Sequence, residues 1–120
     1  MGDRAIVVIP DAACALYLHW DGSRVAEILL TAAPSMRASD PDYAMARLIA
    51  AACRQVGPHY GVGVGPAPED LEPATMKSYS HGDAGVFVVH IEGEKKGTVD
   101  CYGGYGFGDD EPPTLQFFEG

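Results

Sequence analysis

Three things are in short supply in this chain, and each shortage closes off a class of protein. Cysteine is the first: only Cys14, Cys53 and Cys101 occur in 120 residues. They are odd in number, widely spaced and without a C-x-x-C, so neither a disulfide framework nor a zinc site is expected. All three fall in apolar surroundings on predicted strands or a helix. There they read as small buried hydrophobes in a reducing cytosol. Positive charge is the second: 8 Lys and Arg stand against 17 Asp and Glu, a net charge of −9. Such a surface repels a phosphate backbone and argues against direct nucleic-acid binding. Long apolar runs are the third. No stretch of about 20 apolar residues exists, so no spanning helix and no membrane partner are expected. The opening MGDRAIVVIP sets an acid beside its base and has too short an apolar run for a signal peptide. It also lacks the Ser or Thr of a myristoylation motif. The expectation is a cytoplasmic protein.

The length suits one domain with a core of its own. Its acids are unevenly placed. Residues 1–60 hold six acids and five bases, net −1, and residues 61–120 hold eleven acids and three bases, net −8. The acidity is therefore expected on the second half, where it favours a basic protein partner.

The stretch 16–30, LYLHWDGSRVAEILL, organises the rest. Cys14, Leu16, Leu18 and Trp20 alternate onto one face of a predicted strand, with Ala15, Tyr17 and His19 on the other. Asp21 and Gly22 break the pattern, and Ser23 is placed to cap a helix. Val25, Ile28, Leu29 and Ala32 then share one helical face. Trp20 is the lone Trp. At the end of a strand leading into a helix it is expected to pin the helix to the sheet. Trp20→Ala would then cost about 3–5 kcal/mol.

Residues 5–9 and 14–19 are expected to form a hairpin. Asp40 followed by Pro41 is a strong helix start. Met45, Leu48, Ile49, Ala52 and Val56 continue the helical spacing to a stop at Gly57 and Pro58. Residues 59–65 suggest a short strand, with Gly61, Gly63 and Gly65 on one face for close approach by a neighbouring element. Residues 66–80 read as a long polar loop holding at most one helical turn at 69–72. Residues 86–91 and 98–102 form a second expected hairpin, followed by a flexible GGYGFG. Residues 109–120 are expected to be an acidic tail, or an edge strand at 114–118, after a domain spanning 1–108. The sum is an α+β fold: an antiparallel sheet of four to five strands with two helices packed on one face.

Chemistry-bearing motifs are few. No H-x-x-x-H or H-E-x-x-H links His19, His59, His81 and His90, so no metal centre is expected. The glycines of 61–65 lack the Lys-Ser or Lys-Thr of a phosphate loop. Cys14 or Cys101 beside His19 or His90 would make a nucleophile pair only in an electropositive, open setting, which an acidic half does not offer. The carboxylates Asp83, Asp100, Asp109, Asp110 and Glu111 do not have EF-hand spacing and read as a solvated face. No cofactor is expected. The most site-like set is His19 and Asp21 with His81 and Asp83, Tyr17 lying beside them.

The hairpin running into Leu16-Tyr17-Leu18-His19-Trp20-Asp21-Gly22, with the later His81-Gly82-Asp83, resembles a pattern in small uncharacterised bacterial and phage proteins. There an LY-x-HW-x-G turn is followed by HGD and two more strands. The resemblance implies a phage or mobile-element origin and no particular activity.

These readings converge on a non-catalytic, acidic protein-binding protein. Tyr102, Tyr105, Phe107, Asp109, Asp110 and Glu111 would form its contact segment, since Tyr and Gly supply area and adaptability beside the acids. An inhibitor covering a basic nucleic-acid-binding surface of a host protein is one form of this reading. The alternatives are a small hydrolase-like or metal-assisted enzyme at His19, Asp21, His81 and Asp83, and a structural homodimer or larger homo-oligomer paired through residues 114–118.

Overall fold

The computed structural model describes residues 3–56 and 61–119. Five strands, β1 (Ala5–Val8), β2 (Cys14–Leu18), β3 (Val62–Pro66), β4 (Gly85–Val89) and β5 (Val99–Tyr102), form one sheet in the order β3-β2-β1-β4-β5. The fold is α+β, but the sheet is mixed rather than antiparallel. β1 runs antiparallel to β2 and parallel to β4, while β2–β3 and β4–β5 are antiparallel. The physical reason lies in β1 and β4. Both are buried along their whole length, and strands apolar on both faces belong together at the centre of a sheet. The two hairpins therefore join through their most apolar strands, and the long connection between them makes that join parallel.

Three helices flank the sheet, one more than expected and not all on one face: α1 (Val25–Ala32), α2 (Pro41–Val56) and α3 (Pro73–Tyr79). The larger core joins Val7, Leu16, Leu18 and Phe87 to Val25, Ile28, Leu29, Met45 and Leu48 of α1 and α2. On the opposite face, Ile6, Val8, Val86 and Val88 pack with Met76 of α3. α2 begins as its sequence indicates: the Asp40 carboxylate accepts the Tyr43 N–H at 3.2 Å. Its expected stop at Gly57 and Pro58 lies outside the described residues. α3 replaces the expected loop, and the turn foreseen at 69–72 is not helical. Pro73 occupies its first turn, and Met76 is its one buried residue. A single buried position leaves no apolar periodicity to read.

Ser23 does not cap α1. Residues Gly22–Arg24 form a 3₁₀ turn instead, and the Ser23 N–H donates to the Asp3 carboxylate at 3.0 Å. Trp20 does not clamp the helical layer: it is 52% exposed. It lies past Leu18, the last ladder residue, where alternation no longer dictates which way a side chain points. Its ring meets the His19 ring edge-on at 4.1 Å and leans over Gly61. Helix α1 is held instead by Val25, Ile28 and Leu29, which are buried in the core they share with Leu16 and Leu18. The cysteines also depart from expectation. Cys53 is exposed on α2, and Cys14 and Cys101 are only partly buried.

The GGYGFG segment is packed rather than flexible. The Tyr105 N–H donates to the Asp83 carbonyl at 3.1 Å and the Gly106 N–H to the Ala84 carbonyl at 3.0 Å. A Cβ on Gly104 would lie 2.4 Å from the Ala84 carbonyl carbon, so only glycine fits. Gly65 is the opposite case. The close neighbour expected over the glycines of β3 is missing there among the described residues, with none of their atoms within 4 Å of its Cβ position. Residues 114–118 form no strand. Leu115 and Phe117 turn into the main core, and Phe118 makes a single parallel bridge to Arg37.

Chemical denaturation will separate these sites. Gly104→Ala should lose about 1–3 kcal/mol through overpacking against backbone, whereas Gly65→Ala should stay within about 0.5 kcal/mol of wild type. Trp20→Ala should cost about 1 kcal/mol or less, in keeping with a half-exposed ring.

Candidate functional site

The start of β1, the end of β2 and the start of β4 meet at one end of the sheet, and Asp3 ties them together. Its N–H donates to the His19 carbonyl at 3.1 Å, and its carbonyl accepts the Gly22 N–H at 2.7 Å. Its carboxylate accepts the Ser23 N–H and the Tyr105 hydroxyl. Partial burial, and then this Asp3 contact, push the Tyr105 phenol up from its ordinary pKa, so it stays protonated and holds its bond. Asp3 carries no signal in the sequence, because nothing in a local pattern foretells a partner 102 positions away.

The set His19, Asp21, His81 and Asp83 is brought to this end but is not one site. The two histidines flank Tyr17. Its hydroxyl is hydrogen-bonded to His19 Nδ1 at 3.0 Å, and its ring meets the His81 ring edge-on at 5.5 Å. The Asp83 carboxylate is engaged elsewhere. Asp83 accepts both the side-chain Nε–H of Arg4 at 2.8 Å and its backbone N–H at 3.1 Å. Those bonds hold the Asp83 carboxyl below the usual carboxylate range. Asp21 lies 3.9 Å from Arg24 Nη1. A histidine without a free carboxylate in reach lacks the partner that orients a general base. Among the described residues, no group of three His, Cys, Asp or Glu side chains could hold a metal ion.

Of the other titratable groups, His59 lies outside the described residues. His90 is packed and bonded through Nε2 to Asp100 at 2.9 Å, which Lys95 also reaches at 3.2 Å. Burial opposes ionisation of Asp100, but the His90 and Lys95 bonds outweigh it and lower its pKa. Burial, with the neighbouring Asp100 charge, pushes the Cys101 thiol up to about 11. That is the reverse of what a nucleophilic thiolate needs.

The expected contact segment divides into two. Tyr102 packs beside the α3-side cluster of Met76, and Phe107 meets Phe87 edge-on at 5.1 Å, so both are partly buried. Tyr105 is 48% exposed, and Asp109, Asp110 and Glu111 are exposed beside it. A shallow hollow of about 220 Å³ lies among Ser23, Ala26, Tyr105, Phe107, Asp110 and Glu111. The acids do not gather on one portion of the molecule. Glu69 and Asp70 line a hollow with Asp11 at the end of β1 opposite Asp3.

A larger groove, of about 440 Å³, runs along the α3 face of β2 and β3 between Tyr17 and His81 at one end and Tyr79 at the other. Ala15 and Gly65 floor it, and the Tyr79 hydroxyl donates to the Pro66 carbonyl. The glycines of β3 were the only sequence signal of this groove. No family model, curated protein or solved structure matches the chain.

The Arg4–Asp83 pair sets a pH dependence. A depressed native pKa gives stability that is complete above the unfolded value near about 4 and is lost as pH falls through the native one. Unfolding titrations should show wild type weakening in that acid window, and Asp83→Asn should be less stable at neutral pH with a shallower acid decline.

Proposed function

We propose that this is a non-catalytic protein-binding protein that takes a basic partner at the surface around Tyr105, Asp109, Asp110 and Glu111. The observation that carries the reading is the fixed presentation of Tyr105. Its backbone is bonded to Asp83, its hydroxyl to Asp3, and half its surface is open beside three acids. A rigid aromatic with adjacent charge is the composition of a binding hot spot, and a fixed loop loses little entropy on contact. The neighbouring hollow has room for one long basic side chain between Tyr105 and Glu111. Charge complementarity would speed encounter and select the partner. In its concrete form, the partner is a host protein whose basic nucleic-acid-binding surface is covered by a phage or mobile-element inhibitor.

The hydrolase-like reading draws less support, because Arg4 takes up the Asp83 carboxylate it needs. The oligomer reading through residues 114–118 draws less as well, because Leu115 and Phe117 turn inward.

Affinity capture from a lysate of the native host tests the proposal. The wild-type chain should retain one stoichiometric basic protein. A variant carrying Asp109→Asn, Asp110→Asn and Glu111→Gln should lose about tenfold or more in affinity and show a flatter salt dependence. Affinity indifferent to both changes would refute it.

A further inference from the structure

We infer that the outer edge of β3 takes an extended, basic-ended peptide segment of a partner as a sixth strand. This surface is separate from the one around Tyr105, and the inference does not rest on that reading.

β3 is a terminal strand of the sheet. His19 donates its N–H to the Gly61 carbonyl at 2.8 Å, and the register pairs Tyr17 with Gly63 and Ala15 with Gly65. Bonded and non-bonded pairs alternate in an antiparallel ladder. The N–H and C=O groups of Val62 and Val64 therefore point away from β2, toward the open side. Pro66 follows the same alternation, and its outward carbonyl is already taken by the Tyr79 hydroxyl. The edge is thus closed at Pro66 and open over Val62 and Val64. Among the described residues no backbone bond covers that stretch.

Folded proteins shield such edges with charges, bulges or a covering element. β3 reads VGVGP and carries no charge, and Val64 is 60% exposed. The groove floored by Ala15 and Gly65 lies directly beside it. A strand laid along β3 would direct alternate side chains into that groove, between Tyr17 and Tyr79. Main-chain bonds to Val62 and Val64 would supply affinity and the groove selectivity, as in other strand-addition complexes.

Charge selects the occupant. The strand spans about 17 Å, and acids stand near both of its ends. The Asp21 carboxylate is 3.7 Å from the Cβ position of Gly61. At the other end Glu69 lines a hollow of about 370 Å³ with Pro66 and Tyr79, and Asp70 follows it in sequence. A neutral apolar edge between two acidic ends fits a segment with apolar or β-branched residues in the middle and Lys or Arg at its ends. A second copy of this chain would bring its own acids to those same ends.

The test is selection of a displayed random heptapeptide library on the immobilised full chain. Enriched sequences should alternate β-branched or aromatic residues between flanking Lys or Arg. A synthetic enriched peptide should bind Val64→Pro, which removes one outward N–H, about tenfold more weakly or worse. Gly65→Leu, which fills the groove from a position with open space around it, should weaken it likewise. Unchanged melting of both variants establishes that they fold. Binding should fall as salt is raised and should be untouched by the triple change at Asp109, Asp110 and Glu111, which separates this surface from the Tyr105 surface. The inference is overturned if nothing is enriched, if the enriched peptides are acidic, or if they bind both folded variants as well as wild type. It is equally overturned if sedimentation reveals a dimer that Val64→Pro dissolves, because the edge then belongs to a second copy.

Discussion

The structure depends on the parallel pairing of β1 with β4. Each strand is buried on both faces, so neither can stand at a sheet edge without exposing apolar surface. Once Ala5 lies beside Gly85 and Val8 beside Val88, the two hairpins fall to either side. The loop carrying Tyr105 then has one path back, over Ala84. Gly104 and Gly85 make that path possible. A side chain on Gly104 would strike Ala84, and one on Gly85 would strike the Tyr102 carbonyl. The exposed aromatic and the acids after it are held in place by this backbone contact.

Legibility in the sequence followed the length over which a pattern repeats. α2 has several turns and a capped start, and Met45, Leu48, Ala52 and Val56 of its expected face are buried, Ile49 only partly. β2 alternates over five residues, and Leu16 and Leu18 lie where the alternation placed them. Trp20 was misread because the pattern was extended one step past the ladder. α3 was missed because one buried methionine makes no period. The direction of β1 against β4 is a property of the connection between hairpins, and no local stretch of sequence encodes it.

The candidate site was legible in composition but not in pairing. His19 and His81 lie at the same end of the sheet, both against Tyr17. That Asp83 belongs to Arg4 could not be read, because the partners are 79 positions apart. The result changes the chemistry: one apparent acid–base residue, Asp83, becomes half of a structural ion pair. Likewise Tyr102 and Phe107 are partly buried, each packed against one of the two cores.

One consequence follows from the slight footing of α3. The helix has seven residues and one buried side chain, Met76, and the Tyr79 hydroxyl bond to Pro66 is its tether to the far edge of the sheet. Segments with so few apolar contacts detach at a small fraction of the global unfolding free energy. Its amide protons are therefore expected to exchange through local opening before those of α2. One wall of the groove is thus a separable unit, and the width of that groove is an equilibrium property rather than a fixed dimension.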